Sequence, residues 1–289
     1  MTTTKAKPHF SRKLLAIPYA IFLGLFVVVP LFIILYYAFT NGDTGAFTLD
    51  NFINFFSGTG GQSFFESSRF KTIVQSLFIS LMSTLLCLLI AYPVAYIIAN
   101  CKIKNKTGLL LLFIVPMWVN FVLRINALKE LLTWIGVYMK SDTWNIINTI
   151  LGMVYDFLPF MILPIYTTIT KIDKSYLEAA KDLGATPARA FLKITLPLSK
   201  GGIMSGISMV FLPSMTNYVV SNYMTFNHTK IIGAFIDECF KNDLWNLGSV
   251  TALLLLTLMF VMTWLTGGFS TQSETGTRGT SLWLKFYKV

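Results

Sequence analysis

Long stretches of apolar residues alternate with short polar segments along the whole chain. A membrane-spanning helix needs about 20 consecutive, predominantly apolar residues. Six segments reach that length, at about 14–39, 73–99, 108–126, 147–170, 201–220 and 247–269. The pattern therefore predicts an all-α integral membrane protein with six transmembrane helices in one domain.

The intervening polar segments predict how that domain is bounded. A basic N-terminal tail covers 1–13, the transmembrane domain 14–269, and a polar C-terminal tail 270–289. The first apolar run is about 26 residues long, whereas the apolar region of a signal peptide has about 7–15, so we expect an uncleaved first helix.

Two polar segments carry helical signals of their own. Residues 171–200 form the largest loop on the side of the N-terminus, and 127–146 lie on the opposite side. The spacing of apolar residues in the latter predicts an amphipathic helix along the membrane interface; these residues are Leu128, Leu131, Leu132, Ile135 and Met139. The segments 40–72 and 221–246 are predicted to be outer loops.

Composition supports the assignment to the membrane. Hydrophobic residues make up 54% of the chain and charged residues 12%, against about 25% charged residues in soluble domains. The mean hydropathy is +0.64. A soluble protein is excluded on these values.

The net charge of +10 could suggest nucleic acid binding, but its distribution indicates membrane topology instead. With the N-terminus inside, 16 of the 23 basic residues fall on the cytoplasmic side. Basic residues favour that side during insertion, so both termini are predicted to be cytoplasmic. The outer side keeps seven: Arg69, Lys71, Arg124, Lys129, Lys140, Lys230 and Lys241.

The loop at 171–200 has the turn chemistry of two short helices. Ser175 and Glu178 have the spacing of a capping box, and Gly184 stands where a left-handed residue would end the first helix. Thr186 and Pro187 predict the start of a second helix. The spacing alone leaves open whether Glu178 only caps its helix or contacts a partner.

The full spacing in this loop resembles the hallmark of the membrane subunits of ATP-binding-cassette (ABC) importers. That hallmark is Glu-Ala-Ala, three residues, Gly, nine residues, Ile, one residue and Leu-Pro. This chain matches it at Glu178, Ala179, Ala180, Gly184, Ile194, Leu196 and Pro197. The resemblance implies a type I importer permease fold, in which this loop is a coupling helix that docks on a separate ATPase subunit.

The resemblance extends over most of 115–220 and is to the B-type permease of spermidine/putrescine importers. It is carried by Arg124–Lys129, Met153–Tyr155, Leu158–Met161, Pro164–Tyr166 and the stretch from Val210 through Leu212, Pro213 and Met215. It implies a bacterial inner-membrane protein that takes up polyamines.

The partners implied by this resemblance are two ATPase copies, a second related permease, an extracytoplasmic substrate-binding protein and membrane lipid, with no nucleic acid. The chain contains no phosphate-binding Gly-x4-Gly-Lys-Ser/Thr loop. We therefore expect no cofactor in this chain, no catalytic residue and no metal, with ATP and Mg bound by the partner ATPase.

Asp156 is the acidic residue that falls inside a predicted span. A charged side chain there normally faces a polar cavity or a partner. Asp156 therefore either contacts a cationic substrate or sits near the outer end of the fourth helix, where it is wetted or paired with Arg124. Aromatic rings could add cation–π contacts, although most membrane aromatics only pack. The candidate path residues are Asp156, Tyr155, Tyr218, Asn217, Trp118 and Asn120, with Tyr166 and Tyr223 as further aromatics.

Two other functions remain open at this point. An importer for another solute, such as phosphonate, sulfate, iron or a sugar, would share the coupling loop. In an ATP-independent channel or membrane scaffold, Glu178 and Gly184 would only cap and end a helix.

Overall fold

The computed structural model describes residues 16–42, 44–57, 65, 67–101, 103, 106–138, 141–226 and 228–265. Within these ranges the only extended pairing is one isolated bridge between Thr40 and Phe47. The predicted tails at 1–13 and 270–289 lie outside the described residues. The helices are α1 (Ala16–Leu23), α2 (Val29–Phe39), α3 (Asp50–Phe56), α4 (Ser68–Asn100), α5 (Lys106–Ile114), α6 (Phe121–Ile135), α7 (Asp142–Ile169), α8 (Lys174–Asp182), α9 (Pro187–Ala190), α10 (Leu196–Leu198), α11 (Lys200–Thr216), α12 (Tyr218–Thr225), α13 (Ile232–Lys241) and α14 (Trp245–Leu265).

Four helical runs in the described part of the chain are long and apolar enough to cross a membrane. They are α4, α7, α14 and the run Ile17–Phe39, in which a π-helical turn at Gly24–Val28 joins α1 to α2. Two bent pairs pass the same test together: Gly108–Trp118 with α6, at 94°, and Pro187–Leu198 with α11, at 62°. Counting each bent pair as one span gives the six predicted spans.

The contacts of α4 and α7 indicate that the first bent pair does cross the membrane. The C-terminal ends of both helices, at Ala99 and Ile169, line one cavity, and Cys87 Sγ lies 3.8 Å from the carbonyl oxygen of Val154 between their midpoints. The two helices are therefore parallel. Since α7 follows α4 in the same direction, α5 and α6 must carry the chain back across.

The predicted third span at 108–126 is wrong as a straight helix, and the helix predicted within 127–146 has other bounds, since α6 covers Phe121–Ile135 and α7 begins at Asp142. A 3-10 turn at Val115–Trp118 contains Pro116, and Asn120 begins a new helix by accepting a hydrogen bond from Val122 N at 2.9 Å. The apolar positions from Leu128 to Ile135 thus lie on the second helix of a pair bent by 94°, and their place along the membrane interface stays a prediction.

Other predicted boundaries also move. Helix α7 begins at Asp142, whose negative charge suits a helix N-terminus, and α11 ends at Thr216 because Asn217 starts α12. The segments predicted to be outer loops contain α3, the end of α12 and α13. Pro159 and Pro164 lie inside α7, which continues through both of them.

The core of the bundle lies where α7 contacts α4 and α11. Met153, Met161, Ile162 and Ile165 of α7 are fully buried there. On α11, Gly202 and Gly206 face α7 at helical spacing, and a Cβ atom at Gly202 would lie 2.5 Å from Thr168 Oγ1 and 2.7 Å from the carbonyl oxygen of Pro164. The absence of a side chain lets the two helices approach closely, as is common in membrane bundles.

Replacing Gly202 by valine is therefore expected to separate α11 from α7. The backbone oxygen of Pro164 cannot rotate out of the way, so overpacking should cost about 1–3 kcal/mol. Gly201→Val is the matched control, because nothing lies within 4 Å of a Cβ atom at that position of the same helix. The thermal midpoint of the purified protein measures both, and equal midpoints for the two variants would contradict the packing argument.

Candidate coupling loop and translocation path

The first helix of the 171–200 loop begins two residues earlier than predicted. Asp173 is the N-cap of α8, and its Oδ1 accepts a hydrogen bond from Ser175 N at 3.0 Å. The predicted capping box of Ser175 with Glu178 is wrong, because a nearer carboxylate takes the backbone donor. Glu178 is exposed and has no hydrogen bond or ion pair to any described residue, so its carboxylate is available to a partner.

Hydrogen bonds from Ser175, chiefly from its backbone N–H, lower the pKa of Asp173. A carboxylate with a lowered pKa in the folded state stabilises that state above its unfolded pKa. The cap is therefore intact at neutral pH and is lost only as the pH falls through the lowered pKa.

The sharp turn predicted at Gly184 is confirmed. Its φ of +76° is left-handed, and two hydrogen bonds close the turn: Gly184 N donates to Lys181 O at 2.8 Å and Ala185 N to Ala180 O at 2.9 Å. This is a Schellman motif, which glycine forms without the strain that a Cβ atom would bring.

The predicted second helix is confirmed at its start and is irregular afterwards. Thr186 Oγ1 accepts a hydrogen bond from Arg189 N at 3.4 Å, and Pro187 opens α9. A π-helical turn at Phe191–Thr195 then leads into α10, and the chain bends by 62° before α11. Ile194 and Leu196 are half-buried, whereas Pro197 is exposed.

Aromatic contacts join this loop to α4. The Phe191 ring packs edge-on against Tyr96 at 5.1 Å and Tyr92 at 5.7 Å between centroids. The Tyr92 hydroxyl donates to Ser199 Oγ at 2.9 Å, since Ser199 gives its own proton to Leu196 O. These residues could not be identified from the sequence pattern, because Phe191 lies between the conserved positions of the hallmark and its partners are about 100 positions away.

The outward side of the loop is unusually apolar for a water-exposed segment. The Leu183 side chain is 88% exposed, next to the left-handed turn, and Tyr176 and Leu192 are more than half exposed. Exposed apolar groups surrounded by polar residues often mark a protein-binding surface. Ala179 is exposed and Ala180 half-buried beside Glu178, and their small side chains leave room for a partner backbone.

Inside the bundle, Asp156 pairs with Arg124. The Arg124 Nη2 to Asp156 Oδ1 distance is 2.7 Å, and both side chains are about nine-tenths buried. Arg124 belongs to the bent span and Asp156 to α7, so the ion pair joins them. The Tyr155 ring completes the cluster, with its centroid 5.8 Å from Arg124 Cζ.

The two asparagines among the path candidates both act as helix caps. Asn120 Oδ1 caps α6, and Asn217 Oδ1 accepts a hydrogen bond from Val220 N at 3.5 Å to cap α12. Trp118 ends the 3-10 turn with 80% of its surface exposed, whereas Tyr218 is half-buried against the core. Among the described residues, no hydrogen bond connects these residues to the Arg124–Asp156 pair.

Helix α12 nevertheless lies beside that pair. It packs on α7 at Gly152, where a Cβ atom would lie 2.9 Å from Val220 Cγ1 and 3.0 Å from Met224 Cγ, one turn before Asp156. The interruptions before α6 and before α12 thus place both helices against the same part of α7. Irregular backbone at membrane depth is tolerated where it is covered by protein or lines a polar cavity.

The described residues contain no group of three His, Cys, Asp or Glu side chains that could hold a metal ion. The expectation of no metal and no cofactor stays a prediction.

Comparison with known proteins agrees with the resemblance seen in the loop. Residues 91–271 match the family described as binding-protein-dependent transport system inner membrane component. The spermidine/putrescine transport system permease protein PotB of Escherichia coli K12 is 35% identical over 258 residues, which are 83% of this chain and 90% of that protein. The protein of the same name from Haemophilus influenzae is 32% identical over 255 residues, 82% of this chain and 86% of that protein.

Solved structures share the fold at low sequence identity. A chain of a bacterial ABC transporter involved in the import of the acidic polysaccharide alginate superposes with a TM-score of 0.72 and 16% identity, over 90% of this chain and 94% of that one. A chain of a bacterial alginate ABC transporter in complex with an alginate pentasaccharide-bound periplasmic protein superposes with a TM-score of 0.68 and 15% identity, over 89% of this chain and 93% of that one. With the family match and the PotB relatives, this confirms the predicted fold class: the chain belongs to the inner-membrane components of binding-protein-dependent transport systems, as a permease subunit of an ABC importer.

Proposed function

We propose that this chain is the membrane-spanning permease subunit of an ATP-driven importer of polyamines such as spermidine and putrescine. The observation that carries the proposal is the 35% identity to a spermidine/putrescine permease over 83% of the chain. The exposed coupling loop, with Glu178 and Leu183 on its outer surface, supports the dependence on an ATPase partner.

The complete importer would contain this chain, a second related permease, two ATPase copies that bind ATP and Mg, and an extracytoplasmic binding protein. The coupling loop and the basic residues around it would face the cytoplasm, with both termini on that side. Lys171, Lys174, Lys181, Arg189 and Lys193 lie in or beside that loop, which fits the excess of basic residues on cytoplasmic faces.

Transport would follow from rigid-body coupling between two states. ATP binding closes the ATPase pair and displaces the loop on which Glu178 and Gly184 lie. Phe191 passes this displacement to α4 through Tyr92 and Tyr96, and the Tyr92–Ser199 hydrogen bond passes it to the start of α11. Helices α4 and α11 both pack on α7, so the bundle rotates as a unit and opens the pore to the other side.

ATP hydrolysis by the assembled complex in lipid vesicles tests the proposal. With the binding protein present, spermidine is expected to stimulate hydrolysis and to accumulate in vesicles of the matching orientation. Stimulation by a phosphonate, sulfate, iron or a sugar instead would support an ATP-driven importer but reject a polyamine as its substrate. A complex that conducts without any ATPase subunit would reject the importer in favour of a channel.

A further inference from the structure

A cavity of about 270 Å³ lies at the inner ends of the spans, directly behind the coupling helix α8. The ends of α4 and α7, the start of α5 and the inner side of α8 form its walls. Since a water molecule takes about 30 Å³, the space exceeds what a few waters need. It belongs neither to the docking surface of the loop nor to the Arg124–Asp156 cluster.

The polar groups of this cavity are positive or neutral. Lys106 and Lys174 line it, and no acidic side chain does so among the described residues. Lys106 Nζ donates one hydrogen bond to Ala99 O, which leaves two of its three donors, and Lys174 has no partner in the described part of the chain. Asp173, the nearest acid in sequence, is outside the cavity wall and caps α8.

A buried hydroxyl adds an independent observation. Thr195 lines the same cavity with only 2% of its surface exposed, and its Oγ1 has no hydrogen-bond partner among the described residues. A buried polar atom normally has one. The hydroxyl can donate to an anion that the two ammonium groups attract.

Helix dipoles do not decide the sign of the ligand. The C-termini of α4 and α7 bring partial negative charge to the cavity, while the N-termini of α5 and α8 bring partial positive charge. These contributions oppose each other in equal number. The two lysines therefore make the cavity attractive to an anion.

We propose that this cavity binds a phosphate group, held by Lys106, Lys174 and the Thr195 hydroxyl. Ile169, Ile172 and Leu177 form apolar walls beside the charged groups, which suits the phosphate of an anionic phospholipid with its glycerol and acyl parts alongside. Free phosphate offers the same chemistry without the apolar part. The bound group would tie α8 to the start of α5 and so stiffen the coupling loop against the bundle.

The placement in the cytoplasmic leaflet rests on the proposed function, whereas the anion chemistry rests on the cavity. The test is therefore a binding measurement. The assembled complex is stripped of lipid and titrated with phosphatidylglycerol, and retained lipid is counted by native mass spectrometry. Lys106→Gln with Lys174→Gln is expected to weaken retention about tenfold, because charge-assisted hydrogen bonds are lost, and Thr195→Val should weaken it less while keeping the side-chain shape.

Lys171→Gln with Lys200→Gln is the matched control, since it removes the same charge from exposed positions that do not line the cavity. It should bind like the unaltered complex. If inorganic phosphate displaces the lipid at concentrations no higher than those at which the lipid binds, free phosphate is the ligand. If phosphate displaces the lipid only in large excess, or not at all, the lipid headgroup is the ligand.

Equal retention by all variants, an equal loss in the control, or no binding of either probe would overturn the site. If the double lysine variant does not assemble, Thr195→Val alone decides. A complex that retains phosphatidylglycerol specifically but is not stimulated by spermidine would support the anion site and reject polyamine transport. A complex that is stimulated by spermidine but does not retain the lipid would reject the anion site and support polyamine transport.

Discussion

Replacing Asp156 by leucine is expected to destabilise the bundle by about 3–5 kcal/mol, which is the usual cost of removing one partner of a buried ion pair. Arg124 would then keep its charge in a site where its guanidinium is about nine-tenths buried. Its Nε already has no hydrogen-bond partner among the described residues, so nothing nearby can replace the carboxylate. A large fall in the thermal midpoint of the purified complex would report the loss.

Two controls separate this cost from the substitution itself. Arg124→Leu combined with Asp156→Leu should recover most of the stability, because replacing both charges by apolar groups is often neutral. Asp237→Leu breaks the Lys241–Asp237 pair, in which the lysine is 70% exposed, and should cost no more than about 1 kcal/mol. A single variant as stable as the double one would contradict the ion-pair argument.

The same double variant separates the two roles considered for Asp156. If it folds and still imports spermidine, the carboxylate serves only to join the bent span to α7. If it folds but its spermidine-stimulated hydrolysis is lost, while hydrolysis without substrate persists, the pair contributes to the translocation path.

Replacing Glu178 by lysine is expected to reduce spermidine-stimulated ATP hydrolysis and import at least tenfold without preventing membrane insertion. The carboxylate is exposed and has no partner among the described residues, so its removal should leave α8 folded. Reversing one charge at a protein interface commonly costs more than the 1.4 kcal/mol that corresponds to a tenfold change.

Glu130→Lys is the matched control for this variant. Glu130 is an exposed glutamate on α6, away from the coupling loop, and makes no ion pair with a described residue. It should leave hydrolysis and import unchanged. Full import by Glu178→Lys would show that this position does not contact the ATPase, and co-purification of the ATPase subunit distinguishes lost docking from lost transmission.

Local turn chemistry in the coupling loop could be predicted well from sequence. The left-handed turn at Gly184 and the cap at Thr186 were both confirmed, because each depends on a few neighbouring residues with special backbone preferences. The capping box failed for the same local reason. Asp173 and Ser175 compete for one helix start, and the spacing of Ser175 with Glu178 does not tell which residue wins.

The six candidate spans could be counted from hydropathy, but the bends in two of them could not be predicted from it. Asn120 and Asn217 interrupt apolar runs that a sliding window reads as continuous, since one polar residue hardly changes the mean over about 20 positions. Whether such a residue interrupts a helix depends on what satisfies the freed backbone groups, and here the Asn120 and Asn217 side chains each accept one of the freed N–H groups.

The sequence by itself determined the membrane class, the six candidate spans and the helix–turn–helix of the 171–200 loop, because hydropathy, helix periodicity and turn preferences act over short stretches of chain. Only the tertiary structure decided that Arg124 meets Asp156, that Phe191 packs on Tyr92 and Tyr96, and that Lys106 and Thr195 share a cavity. These residues lie from 32 positions apart (Arg124 and Asp156) to 99 positions apart (Tyr92 and Phe191) in the sequence. They depend on how separate helices pack against one another, as do the close approaches at Gly152, Gly202 and Gly206.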